Sequence, residues 1–120
     1  MILMIDNYDS FVYNIYQYLL DTTSESIKCV RNDEINIDEI KRLKPSKIIL
    51  SPGPKHPKDS GVCIDILKEN LGIPILGICL GHQAIGLVNG ADIKVLDTPV
   101  HGKTSQIQTQ NNSIIFKGLP

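Results

Sequence analysis

Through Gly90 the chain alternates short, unbroken apolar runs with longer stretches whose apolar positions recur every three or four residues. Met1-Ile2-Leu3-Met4-Ile5 has no polar member, the pattern of a strand covered on both faces. Asp9 or Ser10 then caps a helix whose apolar positions Phe11, Val12, Ile15, Tyr16, Leu19 and Leu20 keep helical spacing, and Asp21 to Glu25 turns the chain. Ser26 to Val30 reads as a second strand. Asp33 to Leu43 reads as a charged amphipathic helix with Ile35, Ile37, Ile40 and Leu43 facing inward, stopped by Pro45. Lys47 to Leu50 is a third strand that runs into Ser51-Pro52-Gly53-Pro54-Lys55-His56-Pro57, where the prolines forbid regular structure and stiffen the loop. A helix over about residues 59–70 leads to a fourth apolar run, Ile73 to Ile78, and a last helix reaches about Asn89-Gly90.

Strand and helix alternating in this way predict an α/β fold: an open, mostly parallel twisted sheet with helices on both faces and right-handed crossovers. Ligands of such sheets collect beyond the carboxyl ends of the strands, where the proline loop and the turn after Ile78 both lie. Past Gly90 the pattern changes to short alternations, Ile93 to Leu96 and Ser105 to Gln108, with a turn at Asn111-Asn112 before Ser113 to Phe116. That region is expected to be antiparallel. No repeat or linker divides residues 1–120, which read as a single domain. The apolar run at residues 114–116, followed at once by Lys117-Gly118-Leu119-Pro120, reads as the N-terminal portion of a longer chain.

Composition narrows the function classes. Twelve Lys and Arg against thirteen Asp and Glu leave a formal net charge of −1, with the charges interspersed, so neither nucleic acid nor an anionic membrane finds an electrostatic footprint. No apolar run approaches the roughly 20 residues that cross a bilayer, and the start lacks the basic-then-apolar order of a signal peptide, so a cytoplasmic protein is expected. Cys29, Cys63 and Cys79 form no Cys-x-x-Cys pair, which argues against both a disulfide framework and a thiolate zinc site.

Gly77-Ile78-Cys79-Leu80-Gly81 sets one of these cysteines between glycines at a strand-to-helix junction, the arrangement of a nucleophile elbow. A turn tight enough to lift a nucleophile above the sheet crowds its neighbours, which is why residues without Cβ flank it. Unpaired N–H groups at a helix start favour a thiolate and can hold an oxyanion, and the amide of Leu80 is the natural first donor. The proline loop supplies the second: Pro52 and Pro54 have no N–H, so a donor from that loop must be Gly53 or Lys55. Cys29 and Cys63 read instead as buried structural cysteines. The elbow by itself leaves the reaction open.

Taken together, Ser51-Pro52-Gly53-Pro54 and Gly77-Ile78-Cys79-Leu80-Gly81-His82-Gln83, preceded by Ile5-Asp6-Asn7-Tyr8-Asp9-Ser10-Phe11, resemble the class I glutamine amidotransferases. The opening block resembles more narrowly the glutaminase subunit of anthranilate synthase, or of its relative in 4-amino-4-deoxychorismate (para-aminobenzoate) synthase. The resemblance continues through His101-Gly102-Lys103 to Gly118-Leu119-Pro120. It implies a flavodoxin-like sheet, L-glutamine as substrate, a Cys79 thioester, an oxyanion held by Leu80 with Gly53 or Lys55, and substrate binding by Gly53, Pro54, Lys55 and Gln83. It implies no cofactor and no metal. The implied partner is a larger, chorismate-binding synthase subunit that takes up ammonia for the tryptophan or the folate route.

Two departures accompany the resemblance. The family carries glycine where this chain has Lys55, and its His-Pro-Glu general-base motif is not found among these residues. Acid–base catalysis is worth about 10²–10⁴ in rate, so the 120-residue chain alone is expected to be nearly inactive. None of the three histidines replaces the base: His82 reads as a helix-start residue facing solvent, and His56 and His101 as surface residues, His101 near the partner. Cys79 with His82 is only half a metal site. Two other readings stand beside the enzyme: a structural or regulatory subunit without catalysis, and a thiol hydrolase on a related sheet.

Overall fold

The computed structural model describes residues 1–98, 102–110 and 112–119. Four parallel strands, β1 (Ile2–Asp6), β2 (Ile27–Arg31), β3 (Lys47–Leu50) and β4 (Ile75–Gly77), form one sheet in the order β2-β1-β3-β4. Four helices follow them in turn: α1 (Val12–Thr22), α2 (Ile37–Leu43), α3 (Val62–Glu69) and α4 (Leu80–Val88). The register sets Ile2 opposite both Ile27 and Lys47, and Leu50 opposite both Ile5 and Gly77, so β1, β3 and β4 end at one level.

The unbroken apolar run of β1 is explained by its two covered faces. Leu3 and Ile5 point to one side, where with Ile48 and Leu50 they meet Ile40 of α2 and Val62, Cys63 and Ile66 of α3; Ile2 and Met4 point to the other, where with Ile49 they meet Val12 of α1. α4 packs against α3 and β4. The order places β2 on one side of β1 and β3 on the other, and the crevice between such diverging strands is where open parallel sheets bind ligands.

The structure departs from the sequence pattern in specific places. α2 begins at Ile37 rather than Asp33: Asn36 caps it by accepting from the Glu39 N–H at 2.9 Å, while the Glu34 N–H is taken by Arg31 O in the preceding turn. A short 3-10 turn at Pro57–Asp59 delays α3 to Val62. Phe11, Leu20 and Leu43 are exposed, and so is Cys29, which was expected to be buried; β2 is an edge strand whose middle residues are left uncovered.

The antiparallel strands expected after Gly90 are absent among the described residues. Residues 93–96 and 105–108 carry no regular structure, and Ile114–Phe116 forms a 3-10 turn. An alternating pattern becomes a strand only when a neighbouring backbone takes its hydrogen bonds, and among the described residues these stretches have no such partner. His101 and Asn111 lie outside the described residues.

Candidate active site

The site is assembled from the loops that leave β1, β3 and β4. After Gly77 the chain bends at once into α4: the Ile78 N–H donates to Leu50 O at 3.0 Å, and the Gly81 and Gln83 N–H groups close the first turn on Ile78 O and Cys79 O. Cys79 sits at the bend with φ 54° and ψ −107°, a conformation that costs a residue with a Cβ about 1–3 kcal/mol, and its side chain is exposed. A Cβ at Gly81 would overlap Leu50 O and approach Leu50 Cβ to 2.7 Å; one at Gly77 would lie 2.6 Å from the Gly81 carbonyl. The two glycines thus let α4 start directly on β3, which holds the thiol above the end of the sheet.

The proline loop arrives at the same place. A Cβ on Gly53 would lie 2.5 Å from Leu80 Cδ2 and 2.8 Å from Asn7 O, so the loop rests against the residue that follows Cys79. Leu80 is buried, yet its N–H makes no hydrogen bond among the described residues, and neither do those of Gly53 and Lys55. Free N–H groups on two adjoining rigid segments are the donor set that a developing oxyanion requires. Pro54 and Lys55 are exposed, and Gln83 is half-buried on the first turn of α4.

Beyond the carboxyl ends of β2, β1 and β3 lies a cleft of about 600 Å³ lined by Asn7, Tyr8, Asn32, Asp33, Lys55 and Leu80 among others. Cys79 and Gln83 stand outside this lining. The structure therefore joins Gly53, Pro54, Lys55 and Leu80 at one edge, with Cys79 next to Leu80, but does not bring the Gln83 side chain into that cleft.

Residues that the sequence offered only as part of a motif prove to build this edge. Asn7, 3% exposed, donates its backbone N–H to Ser51 Oγ and its Nδ2 to Ser51 O, both at 2.8 Å. Its Oδ1 accepts from Asn32 Nδ2 at 2.9 Å and from the Cys63 thiol at 3.3 Å. Tyr8 has φ 65°, donates its hydroxyl to Asp33 at 2.6 Å and lies 4.6 Å under the Arg31 guanidinium. Its bond to Asp33 raises the phenol pKa above its ordinary value. Such placements depend on partners 23 to 56 residues away, so no local signal could have revealed them.

The other candidates separate cleanly. Cys63 is buried, as expected, and burial pushes its thiol up to about 11. His56 accepts from the Lys58 N–H and caps the 3-10 turn; His82 is exposed and has no hydrogen bond to Cys79 among the described residues. Among the described residues no helix is long and apolar enough to cross a membrane.

Comparison with known proteins gives this geometry a family. Residues 3–120 match the glutamine amidotransferase class-I family. Anthranilate synthase component 2 of Pyropia yezoensis is 52% identical over 121 residues, covering 100% of this chain and 63% of that protein. Aminodeoxychorismate/anthranilate synthase component 2 of Bacillus subtilis is 48% identical, covering 99% and 61%. Aminodeoxychorismate synthase component 2 of Escherichia coli is 44% identical, covering 99% and 63%. The chain thus spans about three-fifths of the length of these relatives. Among solved structures, a protein named as a GMP synthase subunit, from Thermoplasma acidophilum, superposes with TM-score 0.75 at 30% identity, covering 99% of this chain and 59% of that one. An α/β sheet ending in a strained cysteine elbow, and a family match over nearly every residue, lead to one conclusion: the chain belongs to the class I glutamine amidotransferases.

Proposed function

We propose that residues 1–120 form a single domain of a glutaminase subunit that hydrolyses L-glutamine to glutamate and ammonia through a Cys79 thioester. The observation that carries this reading is the contact of Gly53 with Leu80 beside an exposed, strained Cys79. The Cys79 thiolate attacks the side-chain carboxamide carbon, and the new C–S bond pushes the carbonyl electrons onto oxygen. The N–H of Leu80, with that of Gly53 or Lys55, holds the oxyanion. When the carbonyl re-forms, the C–N bond breaks, the nitrogen takes a proton and ammonia leaves. Water then attacks the thioester by the same route and returns glutamate and the thiol. Gly53, Pro54, Lys55 and Gln83 would bind glutamine, with the Lys55 stem on the loop and its head toward solvent.

The relatives named above support a partner: each is component 2 of a synthase, and the ammonia made here would pass to a larger chorismate-binding subunit, for anthranilate or for aminodeoxychorismate. Three free thiols fit a reducing, cytoplasmic location. No His-Pro-Glu motif stands among residues 1–120, so a polypeptide limited to them would work without that base, about 10²–10⁴ more slowly.

The test is labelling of Cys79 in the full-length protein by a diazo-ketone analogue of glutamine. Glutamine should protect, peptides and esters should not, and Cys79→Ser should abolish both labelling and ammonia release. Protection by esters or peptides would instead favour a thiol hydrolase, and unchanged glutaminase in Cys79→Ser would remove the nucleophile from the scheme. Complementation of tryptophan-requiring and para-aminobenzoate-requiring strains assigns the partner's product.

A further inference from the structure

We infer that Asn7 is a positioning residue for the oxyanion-side loop, acting through the Ser51–Gly53 backbone; this deepens the glutaminase reading and rests on it. The loop leaves β3 at Ser51, and Ser51 is gripped from both ends of its peptide unit. Its hydroxyl accepts the Asn7 N–H and donates to Pro52 O, both at 2.8 Å, while its carbonyl accepts Asn7 Nδ2 at 2.8 Å. Ser51 is wholly buried, so these bonds have no competing water. Asn7 O and Cβ, together with Leu80 Cδ2, then form the wall against which Gly53 rests, all three crowding the position that a Cβ there would take. One asparagine therefore fixes the carbonyl that precedes Pro52 and the surface that stops Gly53, and between these points Pro52 leaves φ no freedom.

The chemistry of the contacts singles out asparagine. Oδ1 faces two donors, Asn32 Nδ2 and the Cys63 thiol, and Nδ2 faces a carbonyl. The amide orientation is thus determined by its partners, since a flip would set donor against donor and carbonyl against carbonyl. Aspartate has the same shape and satisfies the Oδ1 side, but it places a carboxylate oxygen against Ser51 O. The oxyanion loop is then pushed away by the group that held it, while β1 and the elbow keep their own bonds.

The experiment compares glutamine hydrolysis by the full-length protein and its Asn7→Asp variant, each with the synthase partner. A donor displaced by a fraction of an ångström to an ångström should lower kcat about 10- to 100-fold, and KM should rise with it, because the same loop is assigned to glutamine binding. Alkylation of Cys79 by iodoacetamide, which passes through no oxyanion, should keep its rate. Amide resonances of Gly53 and Lys55 should move in the variant, and those from Gly81 onward in α4 should not. Ser51→Ala, which removes only the hydroxyl, should show the same signature at smaller size. Asn32→Ala, which cuts the far side of the Asn7 amide and leaves the Ser51 bonds, should change kcat by less than about threefold. A parallel fall of hydrolysis and alkylation would mean that Asn7 supports the elbow rather than the loop. Unmoved Gly53 resonances would mean that the prolines hold the loop unaided. Either result overturns the inference. If the parent enzyme hydrolyses no glutamine, the amidotransferase reading fails by itself, and the Gly53 resonances still decide where Asn7 acts.

Discussion

At the scale of single residues, Cys79 is asked to do two opposed things. A backbone with φ 54° and ψ −107° favours glycine, yet the chemistry needs a sulfur there. Cys79→Gly should therefore stabilise the protein while ending catalysis: relief of about 1–3 kcal/mol of strain, less about 0.5–1 kcal/mol for the added freedom of the unfolded chain, leaves about 0–2.5 kcal/mol. The denaturant midpoint should rise with its slope unchanged, and a lower midpoint would mean that the bend stores no strain. The opposite holds for Gly81→Ala, whose methyl meets the Leu50 backbone; it should cost about 1–3 kcal/mol by the same measurement. Cys63, with its thiol up at about 11 and no exposure, should stay unalkylated at pH 8 until the protein unfolds, whereas Cys79 reacts in the native state. The elbow was legible in sequence because glycines flanking a cysteine have a local cause. Asn7 was not, because what makes it matter is a serine 44 positions away.

At the scale of elements, the alternation of apolar runs and amphipathic stretches located the four strands and four helices of the described residues, since burial on both faces or on one stripe leaves a period in the sequence. Boundaries followed finer chemistry. Asn36, not Asp33, starts α2, and Asn36→Ala should cost about 0.5–2 kcal/mol, measured by chemical denaturation, because the Glu39 N–H loses its acceptor. The amino-end edge of the sheet is tied by Glu25, which accepts from Lys47 at 2.8 Å and from the Ser46 hydroxyl. The Lys47 ammonium first, and the Ser46 hydroxyl next, hold its carboxyl down at about 2, against 4.5 when free. A carboxyl depressed in the folded state contributes stability above its unfolded pKa and loses it as pH falls through the folded one. Stability should therefore decline between pH about 4.5 and about 2. Glu25→Gln should flatten that part of the profile, and 1 M salt should weaken the effect, since the group is solvent-facing. An identical acid profile in Glu25→Gln would move the titration to another carboxyl.

At the scale of the molecule, the core and the later residues behave as different materials. Through α4 the chain buries two apolar layers on the faces of one sheet. Beyond it, Val95, Leu96, Ile107, Ile114 and Ile115 are each more than two-thirds exposed. The alternation that suggested strands there describes only what the side chains could cover, and covering needs a second surface that the described residues do not supply. Cooperative protection follows burial and internal hydrogen bonding, so the two regions should respond differently to a probe of local opening. In the 120-residue polypeptide, trypsin should cut first after Lys94, Lys103 and Lys117, all exposed and outside the sheet and its helices. Lys28, Lys41, Lys47 and Lys68, within strands and helices, should survive until global unfolding, leaving a resistant product that retains β1 through α4. Mass spectrometry of a timed digest reads the order directly. Early cleavage at Lys47, in the strand between β1 and β4, would mean that the sheet opens without the rest, and that the platform under Gly53 and Cys79 is not one cooperative unit.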